Sequence, residues 1–179
     1  MRHTRRKAII TGVVSLVLSL SACAQSVRSD APAVPADSLI LERTLCYGTC
    51  PAYRLSLARD GHVTFQSRNP GDESRQASDT TSARALSILT AMADSLGFAT
   101  LPDTIASSPA LCPDHATDHP TATVTIFRGA GSKHVVDYLG CFARFDHSTV
   151  PVVGRLRMLE ASIDSLAGSK RWVQPARRR

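Results

Sequence analysis

Residues 41–65 read LERTLCYGTCPAYRLSLARDGHVTF, and the second half of this stretch decides the fold. Tyr53, Leu55 and Leu57 alternate with Arg54 and Ser56, the period of a strand with one buried face. Val63 and Phe65 resume the alternation after Arg59-Asp60-Gly61, and Asp-Gly between two such runs marks a hairpin. Strand parity chooses the loop. A two-residue Asp60-Gly61 loop pairs Leu57 with Thr64 and sets Leu57 and Val63 on opposite faces. A three-residue loop pairs Leu57 with Val63 and Leu55 with Phe65, and puts Gly61 at the left-handed position such loops require.

Working outward, residues 38–45 form a first strand candidate, and the polar run 67–81, with Pro70 and Gly71, reads as a loop. Residues 82–96 are helical by period: Leu86, Leu89, Ala93 and Leu96 make a stripe with Met92 beside it, and Gly97 stops it. A loop over 101–120 leads to a second hairpin, 121–127 and 133–139, around Gly129-Ala130-Gly131. Pro151 opens a last helix with the stripe Leu156, Leu159, Ile163 and Leu166, closed by Gly168. The order is β-β-β-α-β-β-α. It predicts an α+β domain, a mainly antiparallel sheet of about five strands with two helices on one face.

The two ends of the chain differ from this domain. Arg2, Arg5, Arg6 and Lys7 precede the apolar run of residues 8–20, and Leu20-Ser21-Ala22-Cys23 closes it. A basic head before a short apolar run is a secretory signal, and the run is short for a membrane span, which takes about 20 apolar residues. The closing tetrapeptide resembles the lipobox of bacterial lipoproteins. That resemblance implies a signal peptide over residues 1–22, lipid on Cys23 and a place in the cell envelope, held to the membrane by the anchor and facing outward or into the periplasm. Residues 24–37, AQSVRSDAPAVPAD, complete a tether over 23–37. The domain then occupies 38–173, and residues 174–179 read as a disordered basic tail.

The formal net charge of +6 belongs to these ends. Four cations precede Cys23 and five lie at or beyond Lys170; residues 23–169 carry 12 basic and 15 acidic side chains, a net −3. Nucleic-acid binding needs cations gathered on a folded face, and the domain has no such surplus.

Cys46, Gly48, Cys50, Pro51, Tyr53, Asp60 and Gly61, in the pattern Cys-x-Gly-x-Cys-Pro, a Tyr and an Asp-Gly hairpin, resemble the bacterial family known as domain of unknown function 6438. Asp118 and Pro120, the stretch Tyr138-Leu139-Gly140-Cys141, and Ile163-Asp164 with Gly168 and Trp172 extend the resemblance over residues 38–173. It implies a fold and an envelope setting, and no activity.

Besides Cys23, the chain has Cys46, Cys50, Cys112 and Cys141, an even number with three connectivities open to it. Only Tyr47-Gly48-Thr49 separates the first two. Cys112 precedes one strand of the second hairpin and Cys141 follows the other, and antiparallel pairing brings those ends together. This favours Cys46–Cys50 with Cys112–Cys141. The sharper alternative, a thiol-redox pair at Cys46 and Cys50, lacks the two-residue spacing and helix start that lower a thiol pKa. A second alternative places a metal in the loop holding His115, Asp118 and His119, where two imidazoles four residues apart flank a carboxylate. Ordinary loop chemistry accounts for the same residues, with Asp118 capping the turn into the next strand. No Gly-x-Ser-x-Gly, His-Glu-x-x-His or phosphate loop is present. The sequence therefore points to an exported, non-catalytic binding or structural module. It implies no cofactor and names no protein or small-molecule partner.

Overall fold

The computed structural model describes residues 35–143 and 149–173. The segments expected to be a signal peptide and a basic tail, together with Cys23 and most of the expected tether, lie outside the described residues. The strands are β1 (Ser38–Arg43), β2 (Tyr53–Ala58), β3 (His62–Ser67), β4 (Gln76–Thr80), β5 (Asp114–His115), β6 (Thr121–Arg128), β7 (Gly131–Tyr138) and β8 (Cys141–Phe142); the helices are α1 (Ala85–Leu96) and α2 (Pro151–Ala167). Six strands form one sheet in the order β4-β3-β2-β1-β6-β7, every neighbouring pair antiparallel. The domain is α+β, with a sixth strand where the sequence promised five and a small second sheet of β5 and β8.

The first hairpin takes the three-residue loop. Leu57 pairs with Val63 and Leu55 with Phe65, and Gly61 has φ +87°. A Cβ at Gly61 would sit 2.5 Å from the Thr81 carbonyl oxygen, so both conformation and space demand glycine. The second hairpin turns on Gly129-Ala130 alone, with Arg128 paired to Gly131.

Residues 67–81 are a correction. They contain β4, which pairs Phe65 with Ala77 and Val63 with Asp79. The period-2 signal reports one buried face, and this strand has no fully buried residue: Gln76, Ser78 and Thr80 are exposed, and Ala77 and Asp79 are only partly covered. It is a short polar edge, a composition that resists pairing with another chain. The opposite edge, β7, is covered: Val136 N–H donates to the Asp103 carbonyl, and Thr104 bridges Val136 in parallel.

One face of the sheet carries Leu39, Leu41, Leu55, Leu57, Val63, Phe65, Val124, Ile126 and Val135. Register places them in cross-strand rows, such as Leu41 beside Leu55 and Val124. The helices supply the other half of the core: Leu86, Leu89, Ala93 and Leu96 from α1, and Val153, Leu156, Leu159, Ile163 and Ala167 from α2. Both helices end on left-handed glycines, Gly97 and Gly168, whose N–H groups donate to carbonyls of the last turn.

The domain begins before β1. Ala36 is buried in the core, Asp37 N–H donates to the Phe127 carbonyl, and Arg59 N–H donates to the Asp37 carbonyl. At the other end Trp172 stacks against Phe65, and its carbonyl accepts a hydrogen bond from Arg75.

Candidate functional site

Antiparallel order brings the end of β1, the starts of β2 and β6, and the end of β7 to one end of the sheet. Both disulfides lie there, Cys46–Cys50 and Cys112–Cys141. The five-residue ring from Cys46 to Cys50 leads into β2 and not into a helix. It is tied to the neighbouring loop through backbone. Thr44 N–H donates to the Thr121 carbonyl, Thr121 N–H to Thr44 Oγ1, and Tyr47 N–H to the Asp118 carbonyl. Tyr47 itself is 91% exposed.

Asp118 aims that carbonyl from φ +66°, the only non-glycine residue with positive φ among the described residues. Aspartate tolerates this conformation better than most side chains. Nearby, Tyr138 Oη donates to the Ala116 carbonyl at 2.8 Å and accepts from His119 N–H at 3.3 Å. The His115 ring stands edge-on to Tyr138. Gly140 lies under this tyrosine, where a Cβ would be 2.6 Å from the ring and 2.4 Å from the Ala116 oxygen. The loop is thus shaped around Tyr138 and Gly140. His115, Asp118 and His119 are exposed on it, and among the described residues no three His, Cys, Asp or Glu side chains are placed to share a metal ion.

A second set of polar groups lies between α2 and the sheet, at the same end. Arg43, the last residue of β1, donates to Asp164 Oδ2 from Nε at 3.0 Å and Nη2 at 2.9 Å, and to Tyr53 Oη at 3.0 Å. Tyr53 Oη donates to Asp164 Oδ1 at 2.6 Å, and Ser169 Oγ donates to the same oxygen at 2.7 Å. Burial raises the Tyr53 phenol above its ordinary value, and the adjacent Asp164 charge raises it further. Burial opposes the Arg43 charge, but Asp164, Tyr53 and Glu160 outweigh it and raise its pKa. On the β7 side, Arg157 Nε donates to Asp137 Oδ2 at 2.8 Å, and Arg157 Nη2 reaches the Tyr138 and Cys141 carbonyls. Two arginines therefore fasten α2 to β1, β2 and β7.

Sequence reasoning found the cysteines and the His115–His119 loop but missed this network. Its side chains lie on β1, β2, β7 and α2 and, for Ser169, just beyond α2, and of these the sequence singles out only Tyr53 and Asp164. The signal available was the polar interruption of α2 by Arg157, Glu160 and Asp164 on or beside its apolar stripe.

Residues 37–153 match the profile of the family described as Domain of unknown function (DUF6438). The chain belongs to this family. No curated protein matches the chain. Several positions within the matched stretch have a physical role here. Cys46 pairs with Cys50 and Cys112 with Cys141, Gly61 and Gly140 fill places closed to a Cβ, and Asp118 receives the Cys46–Cys50 turn. Tyr53 lies in the matched stretch, and its partner Asp164 lies beyond it.

Proposed function

We propose that this DUF6438 protein is a lipid-anchored protein of the bacterial cell envelope, and that its domain is a non-catalytic binding or structural module. The observation that carries the reading is the coincidence of the Leu20–Cys23 lipobox pattern with two disulfides in the domain behind it. Disulfides persist in oxidising compartments, and a basic head with a short apolar run is the route to one. The absence of a catalytic signature in the sequence favours a module over an enzyme. So does the interior polar set, where Asp137 and Asp164 are each held by an arginine and Tyr53 by Asp164.

The test is the mass of the protein extracted from membranes. Processing at Cys23 gives a chain that begins at Cys23 and carries a diacylglyceryl group, and Cys23→Ser abolishes both the added mass and membrane retention. An unmodified mature chain beginning elsewhere overturns the anchor.

A further inference from the structure

Glu160 is unlike the other ionisable groups under α2. It sits in the buried stripe of the helix between Leu159 and Ile163, only 2% exposed. Its Oε1 has no hydrogen-bond partner among the described residues. Its closest cation, Arg43 Nη1, stands 3.5 Å from Oε2, and that guanidinium is already bonded to Asp164 and Tyr53.

The groups facing it can be paired off. From β1 comes Arg43, from β2 Tyr53, from β7 Asp137, and from α2 itself Arg157 and Asp164. Arg43 pairs with Asp164 at 2.9 Å and Arg157 with Asp137 at 2.8 Å. Helix α1 buries Ala85, Leu86, Leu89, Thr90, Ala93 and Leu96 and presents no ionisable group to this interior. Two guanidiniums thus have two carboxylates, and a charge on Glu160 would be a third anion in an interior that has no third cation among the described residues. Burying an unpaired charge costs far more than burying a neutral acid, and the usual outcome is that the group keeps its proton.

We propose that Glu160 is held in the folded domain as a neutral carboxylic acid and acts as a proton-operated latch, its ionisation on the alkaline side loosening α2 from the sheet. Burial first, and the neighbouring Asp137 carboxylate second, push its pKa up to about 8 against the partial relief from Arg43 and Arg157. The folded value lies above the ordinary 4.5. Between the two, the folded chain holds a proton that the unfolded chain has released. The stabilisation is therefore complete below the ordinary value, declines as pH rises, and is lost once pH passes the folded value. The latch does not depend on the lipid anchor.

The chain has three glutamates, Glu42, Glu73 and Glu160, which makes the proposal directly observable. With the intact protein labelled at the glutamate carboxyl carbon, one of the three NMR resonances should titrate near pH 8, and Glu160→Gln should remove that resonance. The urea midpoint of the wild type should fall between pH 5 and pH 9 more steeply than that of Glu160→Gln, the variant cancelling the other groups' titration. Three ordinary carboxyl titrations would overturn the neutral acid, and this reading needs no variant to fold. A resonance that titrates near pH 8 while the two midpoints fall in parallel would overturn the latch.

Discussion

Gly140 shows how a single hydrogen atom can shape a loop. The Tyr138 ring and the Ala116 carbonyl both lie within 2.6 Å of where a Cβ would be. Neither yields easily, because Tyr138 Oη is bonded to that carbonyl and Ala116 N–H donates to the Gly140 carbonyl. Gly140→Ala should therefore destabilise the domain by about 2–3 kcal/mol, the upper part of the range for overpacking. Urea unfolding measures it, and a neutral result would mean that the tyrosine swings aside without cost. Gly154 provides the opposite case. It lies in the first turn of α2, and the nearest atom to an added Cβ is Thr149 Cγ2 at 3.9 Å. Gly154→Ala should stabilise by about 0.5–1 kcal/mol, through helix propensity alone.

At the scale of elements, the two disulfides close loops of very different length, with separations of 29 and 4 residues. Chain-entropy reasoning gives about 3.5 kcal/mol for the longer and about 2 kcal/mol for the shorter. Replacing Cys112 and Cys141 together by serine should lower stability more than replacing Cys46 and Cys50 together. It should also leave the Cys46–Cys50 bond formed, as peptide mapping without reduction reads directly. The reverse ranking would mean that the short ring is held in place by more than its own closure.

The hairpins, both helices and their stop signals were legible because each buries an alternating or 3.6-period apolar set. The parity of Leu55, Leu57, Val63 and Phe65 even selected the loop. Strand β4 was illegible for the complementary reason: Ala77 is its one apolar residue, and it is only partly buried. Glu160 was overlooked because a carboxylate in a helix is read as solvent-facing, although it falls on the stripe of Leu156 and Ile163. What makes it interior is the placement of Leu156, Leu159 and Ile163 around it. The candidate site was legible where local spacing or the second hairpin brings residues together, as at Cys46–Cys50 and Cys112–Cys141. Arg43 and Asp164 are bonded across 121 residues, and that pairing exists only once the fold does.

At the scale of the whole molecule, Arg171 and Trp172 fasten the described C-terminal residues to the sheet. Arg171 pairs with Asp79 and lies over the Trp172 ring, whose partner is Phe65. Deleting residues 174–179 should leave the melting temperature almost unchanged. Extending the deletion through Trp172 should lower it by several degrees, since it strips an aromatic from the rim of the core and the acceptor of Arg75. Equal effects from both deletions would mean that the basic tail contributes to the fold.

The place of β1 has a mechanical consequence. This strand is flanked by β2 on one side and β6 on the other, enters the sheet from Ala36 and Asp37, and leaves it toward the Cys46–Cys50 turn. A load applied between its two ends runs along the strand axis. The ladder bonds on both sides lie across that axis, so they bear the force together in shear rather than parting one at a time. The Cys46–Cys50 ring then passes the load from β1 directly into β2. A pull between Asp37 and the far turn therefore loads the β1–β2 and β1–β6 ladders in shear at the same time.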